Sequence, residues 1–496
     1  MPDTGYLGID VGTQGVRAVV LSAEGARLGD GSAPLSGDLR RAGLHEQDPE
    51  QWWSALVRAV GAALTEAGAD TVIDAVALDA TSGTVVVEDA SGRARGPGLM
   101  YDDARAVEQA ARAQDVGQSL WRALGYRMQP SWALPKVMWL QEHGALEAGD
   151  RIAHQSDHLV RRLTGTPVAT DTSHALKTGV DLRHTAWPEE LFATLGVPRA
   201  VLPDVVLPGT VLGTVSAAAG RQTGIPAGTP VRAGMTDGCA AQIGARALSP
   251  GSWSSALGTT LVIKGSTPEV VHDPTGAVYC HRNPDGGWLP GGASSTGAGV
   301  LRTSFPDASG EDLDRLTSEA ARLPPPREVT YPLAGSGERF PFVAPDARGF
   351  AEPDGTHHDP VRLFSALCHG VAYVERLAYD ALGLLGADVS GPVSLSGGAS
   401  RNEWWNQLRT DVLGRPTVVP DSVEAAVGMA VLAAAPSGEL GRTADRMVHL
   451  RTQYQPDADR AEGLQDGYRR LVTALTDRGW LDPTIADRVL RGAIHD

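Results

Sequence analysis

Four short runs in this 496-residue sequence place acidic, hydroxyl and glycine residues where they could act on a charged ligand. Tyr6 to Arg17 reads YLGIDVGTQGVR, with Asp10 ahead of a turn (Gly12, Thr13, Gln14) whose glycines let backbone N–H groups face an anion. One carboxylate beside phosphate oxygens also suits a magnesium ion, which keeps most of its waters. Gly258-Thr259-Thr260 is a second turn with hydroxyls and exposed amides. Two such turns, one from each half of the chain, could clasp a triphosphate, so the pair says more than either member. Leu395 to Asn402 reads LSGGASRN, in which Gly397, Gly398 and Ala399 make a turn that lets a flat ring approach the backbone. Asp237, in GMTDG at Gly234 to Gly238, is a carboxylate at a helix start, where it stays ionised and can accept a proton. Each run also has a plainer reading, as a hairpin turn, a strand-to-helix turn that needs glycine, or a helix N-cap.

These residues need elements to hold them. Tyr6 to Asp10 and Val16 to Leu21 read as the strands of a β-hairpin. Asp48 then Pro49 reads as an N-cap and first helical residue, and Trp52, Trp53, Leu56, Val57 and Val60 continue an amphipathic helix. Val72 to Asp79 and Thr84 to Val87 read as strands, Pro135 to His143 and Ser156 to Leu163 as helices, so the class is α/β. Pro230 to Ala233 leads to Asp237, and Cys239 to Ala247 continues as a helix, which puts Asp237 at a strand-to-helix junction. Near Pro250 the pattern restarts. Ser252 to Leu257, the Gly258 turn and Leu261 to Lys264 make a second hairpin that echoes the first and predicts two similarly built domains. Pro392 to Leu395 reads as a strand and Glu403 to Leu413 as the helix after the LSGGASRN turn. Pro324 to Thr356, rich in Pro and Gly, predicts a long irregular excursion before a helix over Pro360 to Leu385. The expected division is residues 1–245, residues 246–436 and a helical tail over 437–496.

Composition removes several classes of function. A net charge of -16 with three lysines (Lys136, Lys177, Lys264) and dispersed arginines gives no basic stripe, so no nucleic acid partner is expected. Cys239, Cys280 and Cys368 form no C-x-x-C pair, which argues against a disulfide framework and a thiolate zinc site and for a reducing, cytoplasmic setting. No signal peptide pattern opens the chain and no apolar run reaches membrane-span length, so no membrane is expected. The P-loop, the protein kinase H-R-D run and a G-x-G-x-x-G after a strand are all absent. His357-His358-Asp359 lies in a Gly/Pro-rich stretch without a spaced partner and reads as a solvated loop, not a metal site.

Together, GIDVGTQGVR at Gly8 to Arg17, GMTDG at Gly234 to Gly238, LGTT at Leu257 to Thr260 and SGGASRN at Ser396 to Asn402 resemble the FGGY carbohydrate kinases. Their order and separation agree up to about Ala435. The resemblance implies two actin-like, ribonuclease-H-like domains with an interdomain cleft, the first for sugar and the catalytic base, the second for nucleotide. It implies a small-molecule sugar and ATP as partners and ATP with Mg²⁺ as cofactors, and leaves a homodimer open. Carried onto this sequence, Asp10, Gly12, Thr13, Gln14 and Arg17 look like the first phosphate site, and Gly258, Thr259 and Thr260 like the second. Gly397, Gly398, Ala399 and Asn402 look like the adenosine site, Asp237 like the general base, and Asp10 with Asp237 like the Mg²⁺ site, through water.

Within the family, Thr81-Ser82-Gly83, ALKTG at Ala175 to Gly179, GGASSTG at Gly291 to Gly297 and GERFP at Gly337 to Pro341 look similar to the D-ribulokinase branch of plants and cyanobacteria. D-Ribulose is therefore the expected substrate, with D-xylulose or another ketose or polyol as the alternative and a non-catalytic sugar or nucleotide sensor as the alternative of another class. Many members carry W-x-D-x-R where this chain has Tyr101-Asp102-Asp103-Ala104-Arg105, which changes the sugar packing. Ser82, Asp102, Asp103, Asp237 and Gly238 are the candidate sugar contacts.

Overall fold

A hairpin of two apolar strands starts the fold, as the alternation around the Gly12 turn demands. In the computed structural model, which describes residues 4–353 and 359–491, β1 (Thr4–Val11) pairs antiparallel with β2 (Gly15–Ser22), Asp10 opposite Arg17. His357 and His358 lie outside the described residues. Asp359, the last residue of that run, caps the long helix after it, its Oδ1 accepting from Val361 N at 2.9 Å. The chain divides into two compact units: Met1–Arg246 with His281–Leu289 and Ser422–His449, and Ala247–Cys280 with Pro290–Asp421 and Leu450–Asp496.

In the first unit β3 (Arg27–Pro34) extends the hairpin. Helix α1 (Pro49–Ala67) starts where predicted, the Asp48 carboxylate accepting from Glu50 N at 3.0 Å with Pro49 first in the helix. Strand β4 (Val72–Ala80) runs parallel to β1 with Asp79 opposite Asp10, followed in the chain by β5 (Val211–Thr214), β6 (Pro230–Arg232) and α2 (Asp237–Gly244). The sheet order is β5-β6-β4-β1-β2-β3, with β1, β4 and β6 parallel. Leu7, Ile9, Val11, Val16, Ala18 and Val20 join Trp52, Leu56, Ala59, Val60 and Ala63 of α1 in one core. A late helix, Ala425–Ala434, packs on β1, β4 and α2 and is buried along nearly its whole length. Burial on both faces makes the central strands near-continuous apolar runs.

The second unit repeats this plan. β7 (Trp253–Leu257) and β8 (Leu261–Gly265) form the hairpin, and β9 (Trp288–Ala293) pairs with β8 through Gly291 to Ala293. Helix α3 (Pro360–Leu384) precedes β10 (Val393–Ser396), which runs parallel to β7. Then come α4 (Glu403–Leu413), β11 (Thr417–Pro420) and β12 (Leu450–Tyr454). The order along this part of the sheet is β12-β11-β10-β7-β8-β9, the same sequence of parallel and antiparallel neighbours as in the first unit. The echo read from the hairpins is therefore an echo of whole sheets. A fully buried ion pair, Arg409 Nε to Glu375 Oε2 at 2.7 Å, joined by Ser255 Oγ to Glu375 Oε1 at 2.6 Å, ties α3 and α4 to β7.

Two expectations change. Most of the excursion over 324–356 is not irregular, because Val329–Glu338 and Ala344–Glu352 form an antiparallel ribbon. Its register shifts fall between Tyr331 and Glu338, where Gly335 and Gly337 sit, so the glycines mark bulges in a strand and not a loop. The tail is not wholly helical either. Leu440–Met447 stays with the first unit, and Leu450–Tyr454 is an edge strand of the second before Ala458–Asp477 and Pro483–Leu490. Among the described residues no helix is long and apolar enough to cross a membrane.

Candidate active site

Three carboxylates stand where adjacent parallel strands of the first unit end. Asp10 near the end of β1 faces Asp79 near the end of β4, and Thr236, bridged to Ala80, carries the chain into Asp237, the first residue of α2. The carboxyl end of parallel strands is where open α/β sheets bind ligands. Asp237 is exposed, its Oδ1 accepts from Gly238 N at 2.7 Å, and among the described residues it has no ion-pair partner. Thr236 occupies the cap position, so Asp237 is not spent as an N-cap. Its approach is fixed by Thr236 N donating to Ser173 Oγ at 2.9 Å, with Ser173 Oγ donating to Asp171 at 2.5 Å. Asp171 also pairs with His174 at 2.5 Å. Burial opposes both charges, but each partner overrides it, lowering the carboxyl and raising the imidazole.

Asp10 is nearly buried, and its carboxyl is raised by desolvation, against a weak contact from Arg17 at 3.4 Å and with a further push from Asp237. Asp79, which the sequence reading passed over, is fully buried. Burial and then the charges of Asp10 and Asp237 push it well above the ordinary carboxyl range. As a carboxylate it has no donor for either oxygen among the described residues; as the acid it can donate to Asp10. The signal was present as an aspartate directly after the apolar run Ala75 to Leu78. Crowded carboxylates that share only the weak Arg17 contact have the oxygen-donor chemistry of a magnesium site. Among the described residues no set of three or more His, Cys, Asp or Glu side chains is placed to hold a metal.

The Gly12 turn presents amides outward. Gly12 N bonds Gly15 O at 3.0 Å, while Thr13 O accepts from Gln47 Nε2 and Gln14 O from Leu35 N, both at 2.9 Å. The N–H groups of Thr13 and Gln14 have no acceptor among the described residues. A Cβ on Gly12 would meet no atom closer than 3.5 Å, so no close packing in the protein demands glycine there.

The second unit builds its turn alike. Gly258 N bonds Thr260 O at 3.0 Å, and the carbonyls of Gly258 and Thr259 accept from Ala298 N and Gly299 N at 2.9 and 3.1 Å. The N–H groups of Thr259 and Thr260 are left without an acceptor among the described residues, and a Cβ on Gly258 would come no closer than 3.9 Å to anything. In the third turn the two glycines differ. Gly397 is held at φ 80° with Leu257 O only 2.5 Å from where its Cβ would lie, whereas Gly398 faces open space. Ala399 follows in a short 3-10 turn. Asn402 Oδ1 caps α4 by accepting from Trp405 N at 3.0 Å, and Nδ2 donates to Thr317 at 2.9 Å, so this amide is already partly used.

The sugar candidates separate. Ser82 Oγ is buried without a partner, and its loop is pinned by Lys177 Nζ on Ser82 O at 2.9 Å and by buried Lys136 on Gly83 O at 2.8 Å and Met100 O at 2.6 Å. Asp103 is not free for a ligand as expected. It is fully buried and accepts from Arg105 Nε at 2.8 Å and His45 N at 2.8 Å, because the Arg105 fork and the strand carrying His45 need a buried anion. Asp102 keeps partial exposure while contacting Arg40 and His45.

Paired sheets of this order, with amide-lined hairpins and strand-end carboxylates, define the actin-like class of two-domain folds. Residues 5–244 match the N-terminal domain, and residues 253–436 the C-terminal domain, of the FGGY family of carbohydrate kinases. A xylulose kinase of Streptomyces coelicolor is 33% identical over 439 residues, covering 86% of this chain and 87% of that one. A gluconokinase of Bacillus subtilis is 25% identical over 459 residues, covering 88% of each. The solved xylulose kinase of Rhodospirillum rubrum shares the fold at a TM-score of 0.84 and 24% identity, covering 95% of this chain and 98% of that one. The chain belongs to the FGGY family and is a sugar kinase.

Proposed function

We propose that this protein transfers the γ-phosphoryl group of ATP to the terminal hydroxyl of a ketopentose, with D-xylulose as the preferred acceptor. The observation that carries the ATP reading is the pair of hairpin turns, each offering two successive N–H groups with no acceptor among the described residues. Such amide pairs are anion cradles. In this reading Asp237 accepts the hydroxyl proton from its exposed place at the start of α2. The reading assigns phosphate to the Thr13–Gln14 amides of the first unit and to the Thr259–Thr260 amides of the second, and the adenine ring to the bare backbone at Gly398. Asp10 and Asp237 would hold Mg²⁺ through water, and the ion when bound neutralises phosphate charge.

The relatives named above favour D-xylulose over the D-ribulose expected from the sequence. Two of the four runs behind that expectation, Gly291 to Gly297 and Gly337 to Pro341, lie in the second unit, where Glu338 binds Ser294 and Thr296, and this reading gives that unit to the nucleotide. D-Ribulose is the second reading because the other two runs, Thr81 to Gly83 and Ala175 to Gly179, lie in the first unit. Measured ADP release with D-xylulose, D-ribulose, D-gluconate and a polyol panel decides between them. The highest kcat/KM should fall on D-xylulose; a higher value for D-ribulose would reverse the assignment, and no release with any sugar would remove the kinase reading.

A further inference from the structure

Glu338, a residue with no assigned role, gathers five donors onto one buried carboxylate. Oε1 accepts from Ser295 N at 2.6 Å and Arg339 N at 3.0 Å. Oε2 accepts from Ser294 Oγ at 3.0 Å, Thr296 Oγ1 at 2.9 Å and Tyr331 OH at 2.8 Å. The residue is only 2% exposed, and among the described residues no cation pairs with it. A buried charge balanced by dipoles alone is costly unless every lone pair is used, so the three-residue segment from Ser294 to Thr296 is held in one arrangement.

That segment is the back wall of the second hairpin turn. Ser294 N donates to Leu261 O at 2.9 Å, and Leu261 N donates to Thr296 O at 2.8 Å. Ala298 and Gly299 then take the carbonyls of Gly258 and Thr259. Gly297 sits so close that a Cβ there would lie 2.5 Å from Thr260 Cα. With its carbonyls bound behind it, the turn can only present the Thr259 and Thr260 amides outward. We infer that Glu338 is a positioning residue for nucleotide binding: it locks the Ser294–Thr296 segment, and through it the orientation of the two amides that face the polyphosphate. The inference rests on the ATP reading of that turn.

Glu338→Gln keeps the shape but removes the charge that holds all five donors. The expected result is a folded protein whose affinity for a non-hydrolysable ATP analogue, measured by calorimetry, falls about tenfold, as a loss near 1.4 kcal/mol implies. Affinity for AMP and KM for the sugar should stay within about twofold. A general structural defect would weaken AMP and ATP analogue alike, and that result, or unchanged affinity for both, would overturn the inference. Should Glu338→Gln fail to fold, Thr296→Ala removes one donor and should show the same selective loss at smaller size, with equal effects on both nucleotides counting against it. Parent protein that neither binds the ATP analogue nor turns over would instead indict the ATP reading itself.

Discussion

The two units share one strand order and differ in what stands at the ends of their central strands. In the first, the next-to-last pair of the parallel strands is Asp10 opposite Asp79, and Asp237 begins the helix after the neighbouring strand. In the second, the residue two before the turn glycine is Ala256, opposite Ser396, and its neighbour Ser255 is tied into the buried Glu375–Arg409 pair. One scaffold has thus been given acid groups suited to a cation and a proton. The other has neutral strand ends and a glycine backbone suited to a ring. Both keep the amide-presenting hairpin, a feature that suits a phosphate group.

The comparison breaks or sharpens first at glycines. Gly234→Ala puts a Cβ 1.8 Å from Leu78 O, a backbone atom that cannot move aside, and should cost several kcal/mol, seen as loss of soluble protein or a collapsed thermal transition. Gly258→Ala sets a Cβ no closer than 3.9 Å to the rest of the protein and should leave the melting temperature near the parent value while weakening ATP about tenfold by crowding the proposed phosphate site. Equal loss of stability in the two variants would erase the distinction between architectural and ligand-facing glycines.

A smaller effect tests the sugar side. Burial lowers Lys136 to about 7. The unfolded chain therefore binds the proton over a pH range where the folded chain has released it. Stability should rise with pH from about 7 toward the ordinary lysine value, by at most about 1.4 kcal/mol per unit. Lys136→Met should flatten that slope in denaturant titrations, and an unchanged slope would show that the trend has another source.

Much of this was legible from residues alone. A glycine turn between apolar strands announces a hairpin, and a strand followed by Thr236-Asp237-Gly238 and a small apolar run announces a junction that exposes an acid. What stayed hidden depends on partners remote in sequence. The helix Ala425–Ala434 is apolar on every side, which says that it is buried but not that it returns to β1. Asp79 looks like the end of a strand until its register with Asp10 is known, and Asp103 looks available until Arg105 and His45 N are seen on it. Gly335 and Gly337 read as loop residues because a bulge and a loop ask for the same residue type.

The most direct test of the whole account is Asp237→Asn, with turnover and ATP-analogue binding measured on one preparation. The prediction is unchanged nucleotide affinity with a rate lowered about 10² to 10⁴-fold, the usual contribution of a positioned base. Turnover within a few-fold of the parent would contradict it and take the proton-accepting role away from the exposed carboxylate at the start of α2.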